Sequence, residues 1–227
     1  MPNESRPGSP DNRKIHDGME HLILCEGLDE WKFLVSYLNN AALSSWPELS
    51  RIVQVENFGG NEQLSTKINL WSKAPGFENI KSLVVIRDAE TNAAAAVQSI
   101  NSAFRNAGLP EPKRPGIIEH DASLSTGFLL FPACSTELID GTLEDLCLSI
   151  LEESEPQILH EISLFMNGLS NDGLRTFPHE FKSKLHTYFS VTDDYVSFKI
   201  GEAADAGAFD WTSEKLQPLR DFLISMV

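Results

Sequence analysis

Cysteine is scarce. The 227 residues hold three, Cys25, Cys134 and Cys147, widely spaced and without a C-x-x-C pair. That excludes a disulfide framework and gives no support to a zinc site. Each stands in apolar company, which predicts a core position. No apolar run approaches the ~20 residues that span a bilayer, and the N-terminus lacks a basic stretch followed by an apolar one. Neither a membrane span nor a leader is expected, and the expected location is the cytoplasm. Gly59-Gly60 is not followed by G-K-[ST], so it reads as a tight turn before a helix rather than a P-loop, and no serine occupies a G-x-S-x-G elbow. His120, His160, His179 and His186 have no H-x-H or H-x-x-x-H spacing and read as surface or core polar residues. Positive charge is the other shortage: 18 Lys plus Arg stand against 33 Asp plus Glu, a net −15. Residues 115–174 contain eleven acids and no Lys or Arg. Proteins that grip nucleic acid by counterion release need a basic groove. This chain lacks one, so an enzyme acting on nucleic acid here has to bring cations or a partner.

What is present is the composition of a folded protein, 41% apolar and 22% charged. Residues 1–18 mix Pro, Gly, Ser and charge without periodicity and read as a flexible tail. Strand and helix patterns then alternate four times. His21 to Cys25 is a short apolar run, and Leu28 to Ala41 has helical spacing. Ile52 to Phe58 alternates, and Asn61 to Lys73 is helical. Ser82 to Ile86 is a continuous β-branched run, and Asn92 to Gly108 is an Ala-rich helix with a Gly cap. After a Pro-rich loop, Thr126 to Phe131 is a fourth buried strand, and Leu143 to Leu151 a helix. This order predicts an α/β domain over residues 19–155, with a mainly parallel four-stranded sheet and helices on both faces. Residues 156–227 read as a helical extension packed on it, with helices at Pro156 to Leu169, Pro178 to Ser190 and Ser213 to Met226. Tyr195 to Ile200 alternates and reads as a short strand.

Ligands of open α/β sheets bind beyond the carboxyl ends of the strands, where loops and helix N-termini converge. Glu26 ends the first strand just before Gly27, an awkward place for a solvated ornament. Glu30 follows in the first helical turn, and Asp88 and Glu90 end the third strand. On neighbouring strands these four carboxylates would repel strongly in a partly buried site. Mg²⁺ or Mn²⁺, which prefer oxygen ligands, relieve that repulsion. Each acid also has a plain structural reading. Asp29 and Glu30 suit a helix dipole, and Asp88 beside Arg87 can be a loop ion pair. Thr142 can be an N-cap with Asp145 as capping-box partner, and Glu144 a first-turn acid. Lys182 and Lys184, two apart, cannot share a helix face.

Taken together, E-G at the end of the first strand, an acid four residues after that Glu, and D-x-E after the third strand resemble the Toprim domain. That domain is the catalytic module of topoisomerases, primases and overcoming-lysogenization-defect nucleases, and the resemblance covers about residues 20–190. Phe58-Gly59-Gly60, the Pro-rich loop, the stretch from Gly141 to Leu146, Lys182-Ser183-Lys184 and the tail from Gly201 to Leu223 resemble a family of small stand-alone Toprim-related proteins of unknown function, DUF3226. The resemblance implies a Rossmann-like Toprim fold with a first metal on Glu26, Asp88 and Glu90. It implies a second metal on Glu30, with Thr142 and Glu144 standing for the nuclease branch's Ser-x-Glu. It also implies a phosphate-stabilising lysine, Lys182 or Lys184. Glu90 is longer by a methylene than the usual Asp, and Thr142 replaces Ser; both retain oxygen chemistry, and the resemblance does not carry the metal geometry over.

The function expected from this reading is two-metal phosphodiester hydrolysis, a nuclease acting on DNA or RNA, with Glu26 as base or ligand. The rival expectation is a catalytically degenerate Toprim-like regulatory or binding subunit, acting with an ATPase or other protein partner that supplies the basic surface. A hydrolase of small phosphoesters is a third.

Overall fold

The computed structural model describes residues 14–40 and 49–227. Strand β1 (His21–Cys25) and helix α1 (Leu28–Asn39) are followed by a short α2 (Leu49–Ile52) and β2 (Val53–Asn57). A 3-10 turn leads into α3 (Leu64–Trp71), and then come β3 (Ser82–Asp88) and α4 (Ala93–Asn106). Next are β4 (Ile118–Glu119), β5 (Ser125–Phe131) and α5 (Leu143–Ser154). The remainder is helical: α6 (Pro156–Asn171), α7 (Glu180–Ser190), α8 (Ile200–Asp205) and α9 (Gln217–Ile224).

The sheet order is β2-β1-β3-β5-β4. The strands β1, β2, β3 and β5 are parallel, and β4 runs antiparallel to β5. Alternate residues serve opposite faces. Ile23, Val84, Ile86, Leu129 and Phe131 join the cluster formed with α1 and the C-terminal helices, while Leu22, Leu24, Val85, Phe128 and Leu130 join the one formed with α3 and α4. With both faces covered, the inner strands have no solvent side, which is why they read as unbroken apolar runs. Phe33 of α1 meets Phe131, Phe209 and Trp211 edge-on, so residues beyond 155 share one core with the sheet.

Four expectations change. A fifth strand, β4, lies in the loop before β5; two residues are too few to show periodicity. Tyr195 to Ile200 is not a strand: the Phe198 N–H donates to the Tyr195 carbonyl in a turn, and Ile200 opens α8. The alternation there reflects Tyr195 and Phe198 packing inward, with Tyr195 against the Phe189 ring. The anchored chain starts earlier than residue 19. Ile15 is buried and its N–H donates to the Pro75 carbonyl, while the His16 N–H donates to Gln54. Residues 1–13 of the expected tail, and Ala41 at the expected end of α1, lie outside the described residues. The fourth change is Arg87, described below. The three cysteines are buried and unpaired. Among the described residues no helix is long and apolar enough to cross a membrane.

Candidate metal centre

The parallel register pairs Cys25 with Ile86, so the residues that follow leave β1 and β3 side by side. Glu26 is held from behind. Its carbonyl accepts from the N–H groups of Gly59 (2.9 Å) and Gly60 (3.0 Å). Both glycines have positive φ, 81° and 99°, a conformation other residues rarely adopt. The tight turn expected from Gly-Gly is therefore a backbone clamp on Glu26. The Glu26 side chain lies 3.5 Å from Arg87 Nε at its Oε2, and this buried oxygen has no hydrogen-bond partner. Arg87 is itself 4% exposed and spends its Nε–H on the Asp88 carbonyl at 3.1 Å. It is no loop ion pair with its neighbour's carboxylate but a buried counter-ion for Glu26. Burial raises the Glu26 carboxyl, Arg87 opposes this, and Glu30 and Glu90 add repulsion; the result is a pKa of about 7.

Asp88 is more strongly perturbed. It is 8% exposed, and burial, then the charges of Glu30, Glu144 and Glu26, push its pKa up to about 9. The Leu143 N–H, at the start of α5, donates to its Oδ1 at 2.8 Å and opposes the shift. Burial also raises Glu30, whose carboxylate curls back on its own helix start; a Cβ at Gly27 would stand 2.7 Å from its Oε2. Glu90 is exposed and adopts φ 58°, held by two backbone hydrogen bonds exchanged with Gly141, 2.8 and 2.7 Å. Glu144, at the edge of burial, meets Lys182 Nζ at 3.5 Å. The Thr142 hydroxyl and N–H both donate to Asp145 Oδ2, so its N-cap role is realised.

Glu26, Glu30 and Asp88 each feel the charge of others among the five candidate carboxylates, with Glu90 acting on Glu26 and Glu144 on Glu30 and Asp88, so the five form one cluster. A cleft of about 700 Å³ is lined by Asp88, Glu90, Thr142, Glu144 and Lys182; Glu26, Glu30 and Lys184 do not line it. Among the described residues, no three His, Cys, Asp or Glu side chains converge as a ready-made chelate. The acids are engaged instead by Arg87, Lys182 and backbone N–H groups. The donor set still fits a hard divalent cation: it is all oxygen, one buried carboxylate oxygen is orphaned, and three carboxyls are pushed towards the protonated form by burial and then by their neighbours' charge. Arg87 and Asp140, whose Oδ1 accepts from the Ala93 N–H at 2.8 Å to hold the start of α4, were not expected here. An Arg at the end of a buried apolar run was the available signal for the first.

Gly141 is a stringent test of this frame. Its φ is 139°, and a Cβ would meet the Pro132 ring at 2.9 Å and Asp145 Oδ2 at 3.1 Å. Gly141→Ala is expected to lower stability by about 2 kcal/mol. Glu90→Gly, which relieves a left-handed residue, should leave it unchanged or raise it by up to ~1 kcal/mol. Urea denaturation of the two variants distinguishes them; equal losses would remove the strained clasp from the description.

Fold and site define an α/β protein with a mainly parallel, doubly covered sheet and a carboxylate cluster where two adjacent inner strands end. The chain belongs to the family described as a protein of unknown function (DUF3226), whose model matches residues 20–227. No curated protein and no solved structure matches it.

Proposed function

We propose that the protein is a cation-dependent phosphodiesterase of the Toprim type, a nuclease whose Mg²⁺ or Mn²⁺ ions are held by Glu26, Glu30, Asp88, Glu90 and Glu144, with Thr142 beside them. One observation carries this reading: five carboxylates from three segments crowd one sheet end, and two of them are held near or above neutral pKa. When bound, such ions neutralise the acids, activate water and stabilise the charge developing on the phosphate. The chain's own groups do the rest. Arg87 favours the charged form of the Glu26 carboxyl against burial, the Leu143 N–H orients Asp88, and Lys182 offers a cation at the cleft wall. In the net reaction water adds to phosphorus, one P–O ester bond breaks, and the proton leaves with the alcohol. Glu26→Ala and Asp88→Ala are each expected to abolish Mn²⁺-dependent cleavage of DNA and RNA; wild-type rates would overturn the assignment.

A second reading, a Toprim-like regulatory or binding subunit whose protein partner brings the basic surface, is favoured by the internal cations: Lys182 and Arg87 already stand against Glu144 and Glu26. Calorimetric titration with Mn²⁺ separates the two. A carboxylate-dependent site is expected on the first reading and none on the second.

A further inference from the structure

We infer that the site binds a single nucleotide unit, the single-stranded end of a substrate chain or the free nucleotide released from it, whose base stacks on Phe181 while its phosphate lies at the acids. The inference rests on the proposed function for the phosphate's position. The cleft has two chemically different walls. One carries Asp88, Glu90 and Glu144; the other is formed by the start of α7 and the segment before it, where Phe177, His179, Phe181 and Lys182 accompany a single acid, Glu180. Phe177 packs against the core, whereas Phe181 belongs to neither core cluster and is 53% exposed. A ring left about half exposed in a cleft shared with a cluster of acids gains less from burial than a core ring, and its free area is a platform on which any base can stack.

Charge limits the size of the ligand. Lys182 is the only Lys or Arg among the described residues lining the cleft, and it already contacts Glu144. A duplex held by the usual ~6–10 phosphate contacts needs a row of such cations. One lysine and a pair of divalent ions suit one or two phosphates. The volume, about 700 Å³, is that of a small-molecule pocket rather than a duplex groove.

Phe181→Trp places an indole on the same platform. With Mg²⁺ present, thymidine 5′-phosphate and a 5′-phosphorylated oligothymidine are expected to quench its fluorescence saturably, and methyl phosphate is not. Binding of both nucleotides by Phe181→Ala, measured by calorimetry, should weaken about 10-fold relative to wild type. Quenching by the oligonucleotide alone assigns a strand end; quenching by both admits the free nucleotide. Absence of quenching, unchanged affinity in Phe181→Ala, or tighter binding of a 20-base-pair duplex than of the single strand would overturn the inference. The two readings fail separately. Nucleotide binding without Mn²⁺-dependent cleavage removes the nuclease and keeps the platform, whereas cleavage that is indifferent to Phe181 does the reverse.

Discussion

Asp88→Asn is expected to reduce cation-dependent hydrolysis by about 10³-fold, the equivalent of ~4 kcal/mol of lost charge stabilisation, while leaving the metal-free protein at least as stable as wild type at pH 7. The reason is the proton that the native side chain already carries. With a pKa pushed to about 9, the Asp88 carboxyl is neutral at pH 7 without a cation, and an asparagine has its shape. Its side-chain oxygen can still accept from the Leu143 N–H. The sign of the pH dependence follows. A carboxyl whose folded pKa lies above its unfolded value favours folding fully below the unfolded value, and that support is lost as pH rises through the folded value. For Asp88 the window runs from about 3.8 to about 9, and for Glu26 from 4.5 to about 7. Metal-free wild type should therefore lose Tm steadily from pH 5 to pH 9, and Asp88→Asn should flatten the upper part of that fall. Mg²⁺ or Mn²⁺ should raise the wild-type Tm, more so at higher pH, because binding ionised ligands displaces protons. Thermal melts across pH with and without cation, alongside kcat, provide the measurement. A variant that keeps a tenth of wild-type hydrolysis, or two coincident pH curves, would contradict it.

The second large effect is on stability. Arg87→Met is expected to cost about 3–5 kcal/mol, because it leaves a partly buried carboxylate without its counter-ion. Arg87 is the neighbouring charge that lowers the Glu26 pKa, and its removal drives that carboxyl further up. The same side chain also ties the Asp88 carbonyl, so two of the clustered acidic residues lose a fixed partner at once. Adding Glu26→Gln to Arg87→Met should recover most of the loss, since no charge is then stranded. Urea denaturation of the two single variants and the double variant closes the cycle. A single variant within 1 kcal/mol of wild type would show that the pair does not hold this corner of the fold.

These two residues mark where the chain's local pattern stops being informative. The strands from His21 and Ser82 were legible because a doubly covered parallel strand has no polar side, and Glu26 and Asp88 were legible as acids placed directly after such runs. Thr142 with Asp145 was legible too, since a capping box is a local interaction. Arg87 was not, because its partner is 61 residues away in sequence and its neighbour Asp88 is the more obvious mate; the register of β1 on β3 brings it to Glu26 instead. The choice between Lys182 and Lys184 was equally open. Helical spacing says that one of them at most can face a given site, but the way α7 lies beside α5 decides that it is Lys182. Phe181 carried no signal at all, since an exposed phenylalanine is visible only after the core has been assigned.

The amino-acid sequence by itself thus determined the alternation of strands and helices, the doubly covered sheet and which carboxylates end its strands, because those depend on side-chain periodicity and nearest-neighbour chemistry. Tertiary structure alone decided that five acids share one field, that a buried arginine and a surface lysine stand against them, and that a half-exposed ring lines the same cleft as three of them. Those outcomes depend on distance through space, which packing and strand register fix and which local pattern does not encode.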